Sequence, residues 1–118
     1  TAPCDAFIEL SQDVDLMIHE CTFPEEAIDF RKNAKIGTWA HTSPIELGKL
    51  AASAGARSLV ATHFGSYDSV NPIVQSVMSI HMPKEIIGPH QLDLVERDIR
   101  KNFFGELRLA HDLMNIVI

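Results

Sequence analysis

Cysteine is nearly missing from this chain: Cys4 and Cys21 are the only two in 118 residues. Two thiols make no disulfide framework, and their separation is not the Cys-x-x-Cys spacing of a metal knuckle. Both therefore read as reduced, buried packing residues of a cytosolic protein. Positive charge is scarce as well. Ten basic against sixteen acidic residues leave a formal charge of −6, which favours solubility and gives no broad positive field to hold a polyanion. Nucleic acid stays an allowed partner, but charge does not favour it. Long apolar runs are also lacking, since none approaches the ~20 residues that cross a bilayer, so no membrane partner is expected. The first residues, Thr1-Ala2-Pro3-Cys4-Asp5, show no basic region followed by an apolar one and do not read as a signal peptide. With no internal repeat, low-complexity segment or linker, the chain reads as a single cytoplasmic domain.

The most informative stretch runs from His41 to His63. Thr42 or Ser43 is placed to cap a helix, and Pro44 suits its first position because it has no N–H to leave unpaired. Leu47, Leu50, Ala51 and Ala54 then recur on one helical face, and Gly55 can take the left-handed conformation that ends it. Residues 57–62 read as a short buried strand. Its Leu59, Val60 and Ala61 are continuous rather than alternating, as when helices cover both faces of a sheet. His63 falls at the carboxyl end of that strand, which is where open α/β sheets place their ligand crevice.

Elsewhere the pattern is mixed. Residues 4–12 can form a short helix capped by Asp5, and Asp15-Leu16-Met17-Ile18-His19 reads as a central strand meeting an active-site rim. Acidic residues in the first turn and Arg31-Lys32 in the last predict a helix over 25–32. Residues 33–40 and 64–71 read as loops. Pro72 opens a helix reaching towards His81, and residues 91–102 form an amphipathic one. Two strand-like segments, 106–110 and 113–118, close the chain around His111-Asp112. Alternating strands and helices predict an α/β layered fold. His81 and His90 read as solvated, and His111-Asp112 as a turn rather than a relay.

Five blocks, Thr1-Ala2-Pro3-Cys4, Asp15-Leu16-Met17-Ile18-His19-Glu20-Cys21-Thr22-Phe23, His41-Thr42-Ser43, Ala61-Thr62-His63-Phe64 and Gly105-Glu106-Leu107-Arg108-Leu109-Ala110-His111-Asp112-Leu113-Met114, occur in this order. Together they resemble the C-terminal half of a metallo-β-lactamase-fold hydrolase, in the branch that holds ribonuclease Z and the arylsulfatase-like and phosphodiesterase-like enzymes. The resemblance implies one half of an αββα sandwich, a mixed sheet flanked by helices, with residues 1–118 as the C-terminal portion of a single domain. It implies two divalent metal ions, most simply zinc, with manganese or iron as alternatives. His63 matches the family's late metal-ligating histidine, and His41 matches the histidine placed near the leaving group.

The departures are equally specific. The His-x-His-x-Asp-His cluster that supplies most ligands in the family has no counterpart here, and the aspartate that bridges the metals would precede Thr1. One imidazole cannot hold two metals. The expected partner is therefore the N-terminal portion of the same enzyme, which lies outside this chain. The candidate metal ligand is His63, and the candidate catalytic residues are His41 and Glu20, with Glu20 orienting His41. Hydrolysis of a phosphodiester or related ester through a metal-activated water is the expected activity, and a homo-oligomer the expected assembly. The competing reading is a non-catalytic half-domain that serves for association.

Overall fold

The central strand forms as Ser58–Thr62 (β2), flanked by Leu16–Glu20 (β1) and Glu106–Leu109 (β3) in the order β1-β2-β3. In this computed structural model residues 2–37, 40–80 and 82–117 are described. Thr1, Thr38, Trp39, His81 and Ile118, and with them the solvated reading of His81, lie outside the described residues. Both flanking strands run parallel to β2, in a register that sets Glu20 beside Thr62 and Ala61 beside Leu109. The mixed sheet expected from the family is thus corrected to a parallel one among the described strands. Helical crossovers explain the direction: Glu25–Asn33 (α2) and Pro44–Ser53 (α3) separate β1 from β2, and Pro72–Met78 (α4) and Gln91–Ile99 (α5) separate β2 from β3. Such a connection returns the chain to start the next strand from the same end.

Local chemistry accounts for the key boundaries. Ser43 caps α3 by accepting from Glu46 N–H at 3.2 Å, Glu46 answers by accepting from Ser43 N–H at 3.0 Å, and Pro44 opens the first turn. Gly55 ends the helix at φ +66°, and an added Cβ there would lie 2.7 Å from Asp13 Oδ1. Asp5 does not cap the first helix, Asp5–Leu10 (α1). It sits in the first turn, and Cys4 occupies the capping position. The strand expected over 113–118 does not form among its described residues, because Leu113 turns to φ +63° and breaks any extended run; Leu113 and Val117 stay exposed.

The core lies on one face of the sheet. Met17, Leu59 and Ala61 meet Leu47, Leu50 and Ala51 of α3 and Val95 and Ile99 of α5. A second cluster joins Phe23, Ala27 and Ile28 to Met82, Ile86 and Ile87. The other face differs from the expectation of helices on both sides. Val60 lies beside the tail residues Ile116 and Val117, and Ile18, its register partner on β1, is 56% exposed. Among the described residues no helix is long and apolar enough to cross a membrane.

Close packing between α3 and α5 depends on one glycine. A Cβ on Gly48 would fall 2.5 Å from the Ile99 carbonyl oxygen, so the two helices approach at a distance that no larger residue permits. Gly48→Ala is expected to destabilise the fold by about 1–3 kcal/mol, the range for overpacking a filled core. Urea unfolding should show a lower midpoint at unchanged slope. An unchanged midpoint would contradict the packing described.

Candidate functional site

β1 and β2 end side by side, and the residues just beyond each strand meet at that rim. Glu20 is the last residue of β1, and Thr22 stands two residues on, so that in extended chain both side chains lean the same way. Backbone hydrogen bonds tie the two strand ends together: Cys21 N–H donates to Thr62 O at 2.8 Å and Gly65 N–H to Thr22 O at 3.2 Å. These two bonds bracket His63. The residue takes φ +62°, a left-handed conformation that costs a non-glycine residue about 1 kcal/mol or more and is characteristic of functional positions.

The third segment arrives from the loop before α3. Thr42 N–H donates to Glu20 Oε1 at 2.8 Å, which brings His41 against the same carboxylate. His41 Nδ1 lies 3.4 Å from Glu20 Oε2 and His63 Nδ1 4.0 Å from it. The imidazole rings are 5.8 Å apart, and the edge of one of Phe23 and His41 meets the face of the other at 5.4 Å. All three residues expected to carry chemistry therefore converge. One that composition and spacing did not single out stands between them: the Thr22 hydroxyl lies 2.9 Å from Glu20 Oε2, 3.0 Å from His41 Nδ1 and 3.2 Å from His63 Nδ1. The two-residue step from Glu20 was the signal that would have found it.

Exposure separates the roles. Glu20 is 14% exposed at its side chain, His41 30% and His63 65%. Burial works against the Glu20 charge, and the Thr42 N–H and Thr22 hydroxyl both donate to the carboxylate and favour its ionised form. Glu20 is thus a carboxylate engaged on both oxygens, suited to holding a neighbour rather than taking a ligand. His63 is the most exposed of the three, and its recorded hydrogen bond is made through Nδ1.

The donor set can be tested against a divalent metal. Glu20, His41 and His63 each offer a ligand atom within 4.8 Å of the others, and imidazole nitrogen with carboxylate oxygen is a combination that suits zinc-class ions. Among the described residues His63 is hydrogen-bonded to Thr22 alone, whereas Glu20 and His41 are bonded to Thr22 and to each other.

Other singled-out residues lie elsewhere. His19 is buried, its Nδ1 2.9 Å from the Glu20 carbonyl and its ring 5.1 Å from that of Phe7, so it packs rather than serves the site. His90 is exposed, with Nε2 2.8 Å from the Glu85 carbonyl. His111 and Asp112 form an exposed turn that borders a cleft shared with Thr62, His63 and Phe64. Cys21 is buried, but Cys4 is exposed, against the expectation for both. Burial, followed by the Glu20, Glu25 and Asp98 charges, pushes the Cys21 thiol up. A thiol reagent is accordingly expected to label Cys4 promptly and Cys21 only on unfolding; equal rates would show the site wall to be open.

Known proteins supply the fold. No family model matches the chain. It is 38% identical over 77 residues to ribonuclease Z of Methanosarcina acetivorans, covering 64% of this chain and 24% of that protein. It is 41% identical over 69 residues to ribonuclease BN of Escherichia coli, covering 58% and 21%. The chain thus spans less than a quarter of the length of these relatives. Among solved structures, the metallo-β-lactamase fold protein YhfI from Bacillus subtilis matches with a TM-score of 0.60 and 24% identity, over 93% of this chain and 34% of that one. The parallel sheet with helices on one face and this match together show that the chain has part of the metallo-β-lactamase fold.

Proposed function

We propose that this chain forms one wall of the active site of a metal-dependent hydrolase that cleaves a phosphodiester or a related ester. The reading is carried by the convergence of Glu20, His41 and His63 on one hydroxyl at the carboxyl ends of β1 and β2. In it, His63 would hold the metal, with the remaining donors on polypeptide that this chain does not include. A bound divalent ion, zinc in the simplest case, supplies Lewis-acid activation of a water nucleophile. His41 hands a proton to the departing oxygen, and Glu20 holds the imidazole in position and stabilises its cation. The ribonuclease names of the relatives favour a phosphodiester over other esters.

The same reading gives the open sheet face a use. Ile18, 56% exposed on the side away from the core, is the surface on which the remainder of the sandwich would rest. The substrate's polyanion would find its positive charge there too, since this chain carries −6.

The test is hydrolysis of an activated phosphodiester by the longer polypeptide, assayed with and without a chelator. Activity lost on chelation and restored by zinc or manganese is the expected result. Bound metal with no hydrolysis of any ester, or hydrolysis indifferent to the chelator, would favour a non-catalytic association module or another chemistry instead.

A further inference from the structure

The Thr22 hydroxyl has one proton and two lone pairs to distribute among three neighbours. Glu20 as a carboxylate only accepts, and its Oε1 already takes the Thr42 N–H, so the Thr22 proton goes to Oε2, 2.9 Å away. Two lone pairs are left, facing His41 Nδ1 at 3.0 Å and His63 Nδ1 at 3.2 Å. A bare Nδ1 on either ring would set lone pair against lone pair beside a residue that is only 8% exposed, where an unmet polar contact has little water to relieve it. Each Nδ1 therefore carries hydrogen and donates it to Thr22.

We infer that Thr22 is a positioning residue that fixes both imidazoles in one tautomer, hydrogen on Nδ1 and Nε2 bare. Its own placement is rigid, because the Gly65 N–H to Thr22 O bond and the Cys21 N–H to Thr62 O bond lock it to the strand end that carries His63. The two rings do not depend on it equally. His41 Nδ1 has a second acceptor in Glu20 Oε2 at 3.4 Å, whereas for His63 that oxygen is 4.0 Å off, beyond hydrogen-bond range. Among the described residues, Thr22 alone is within hydrogen-bond range of His63 Nδ1 and decides its state.

The consequence for metal binding rests on the reading of His63 given above. A ligating imidazole needs a bare nitrogen towards the cation and a partner for its other N–H. Thr22 supplies that partner. For His41, commitment of Nδ1 leaves Nε2 free to take up a proton from solvent, and the resulting imidazolium, held by Glu20, then gives that proton to the departing oxygen.

Side-chain ¹⁵N spectra of the metal-free chain, recorded about two pH units above the ordinary imidazole pKa, separate the tautomers directly. His90 is an internal reference of the opposite kind, since its Nε2 lies on the Glu85 carbonyl at 2.8 Å. The expected result is Nδ1–H for His41 and His63. Thr22→Ser should keep both, whereas Thr22→Val should move His63 to Nε2–H and leave His41 unchanged. A wild-type spectrum with Nε2–H on His63, or a Thr22→Val spectrum that leaves His63 on Nδ1–H, would overturn the inference, and the first does not depend on any variant folding. In the longer polypeptide Thr22→Val should weaken metal binding about 10–100-fold. If the tautomer switches while metal affinity survives both Thr22→Val and His63→Ala, the metal reading fails and the tautomer assignment stands.

Discussion

His41→Ala is expected to slow turnover about 10²–10⁴-fold, the usual worth of a placed general acid, while bound metal stays at the wild-type level. The separation follows from geometry. His41 is 30% exposed, held by Thr22 and Glu20 on its Nδ1 side, and its removal leaves His63 and the Thr22 hydroxyl in place. Steady-state kinetics at saturating substrate should place the loss in kcat. A substrate with a good leaving group should regain much of it, because little protonation is then needed. Loss of metal together with turnover would show that His41 is itself a ligand and that the roles have been wrongly divided.

Arg97→Met is expected to cost about 3 kcal/mol of stability, the low end of the penalty for stranding a buried charge, because one partner remains. Asp98 is fully buried at the side chain, and Arg97 grips it from Nε and Nη2, both at 2.9 Å, while also reaching Glu26 on α2 at 2.6 Å. Lys101 stays on the same carboxylate at 2.7 Å. Burial works against the Asp98 charge, and the bonds and charges of Arg97 and Lys101 outweigh it, so the carboxyl lies below its ordinary range. A depressed carboxyl stabilises the fold above the unfolded-state value near ~4, and that contribution is lost as pH falls through the folded-state value. Denaturant midpoints should therefore separate wild type from Arg97→Met at neutral pH and converge on acidification. Equal midpoints at pH 7 would mean that the α2–α5 link contributes nothing measurable.

Elements whose cause is local could be read from the chain. The Ser43–Glu46 capping box, Pro44 and Gly55 punctuate α3 within a dozen residues, and β1 and β2 fall within one residue of their expected bounds. Periodicity misled where nothing arrived to cover an apolar face. α4 stops at Met78 rather than continuing towards His81, and its Ile73 and Val77 remain exposed. Residues 113–117 are apolar enough for a strand, but Leu113 breaks the extended run.

The site shows the same division. His41, His63 and Glu20 were recognisable because each ends or begins an element that opens on one rim. Thr22 was not, since its role exists only when residues 20, 22, 41 and 63 come together, and no local pattern encodes that meeting. The left-handed backbone at His63 was hidden for a different reason: the residues that favour this conformation are glycine and asparagine, and histidine announces nothing of the kind.

Whether His63 reaches a cation can be decided by elemental analysis of the longer polypeptide as wild type, His63→Ala and His41→Ala, each purified in the same buffer. Metal lowered in His63→Ala alone, with His41→Ala matching wild type, is the outcome this structure predicts. Full metal retention in His63→Ala would contradict it.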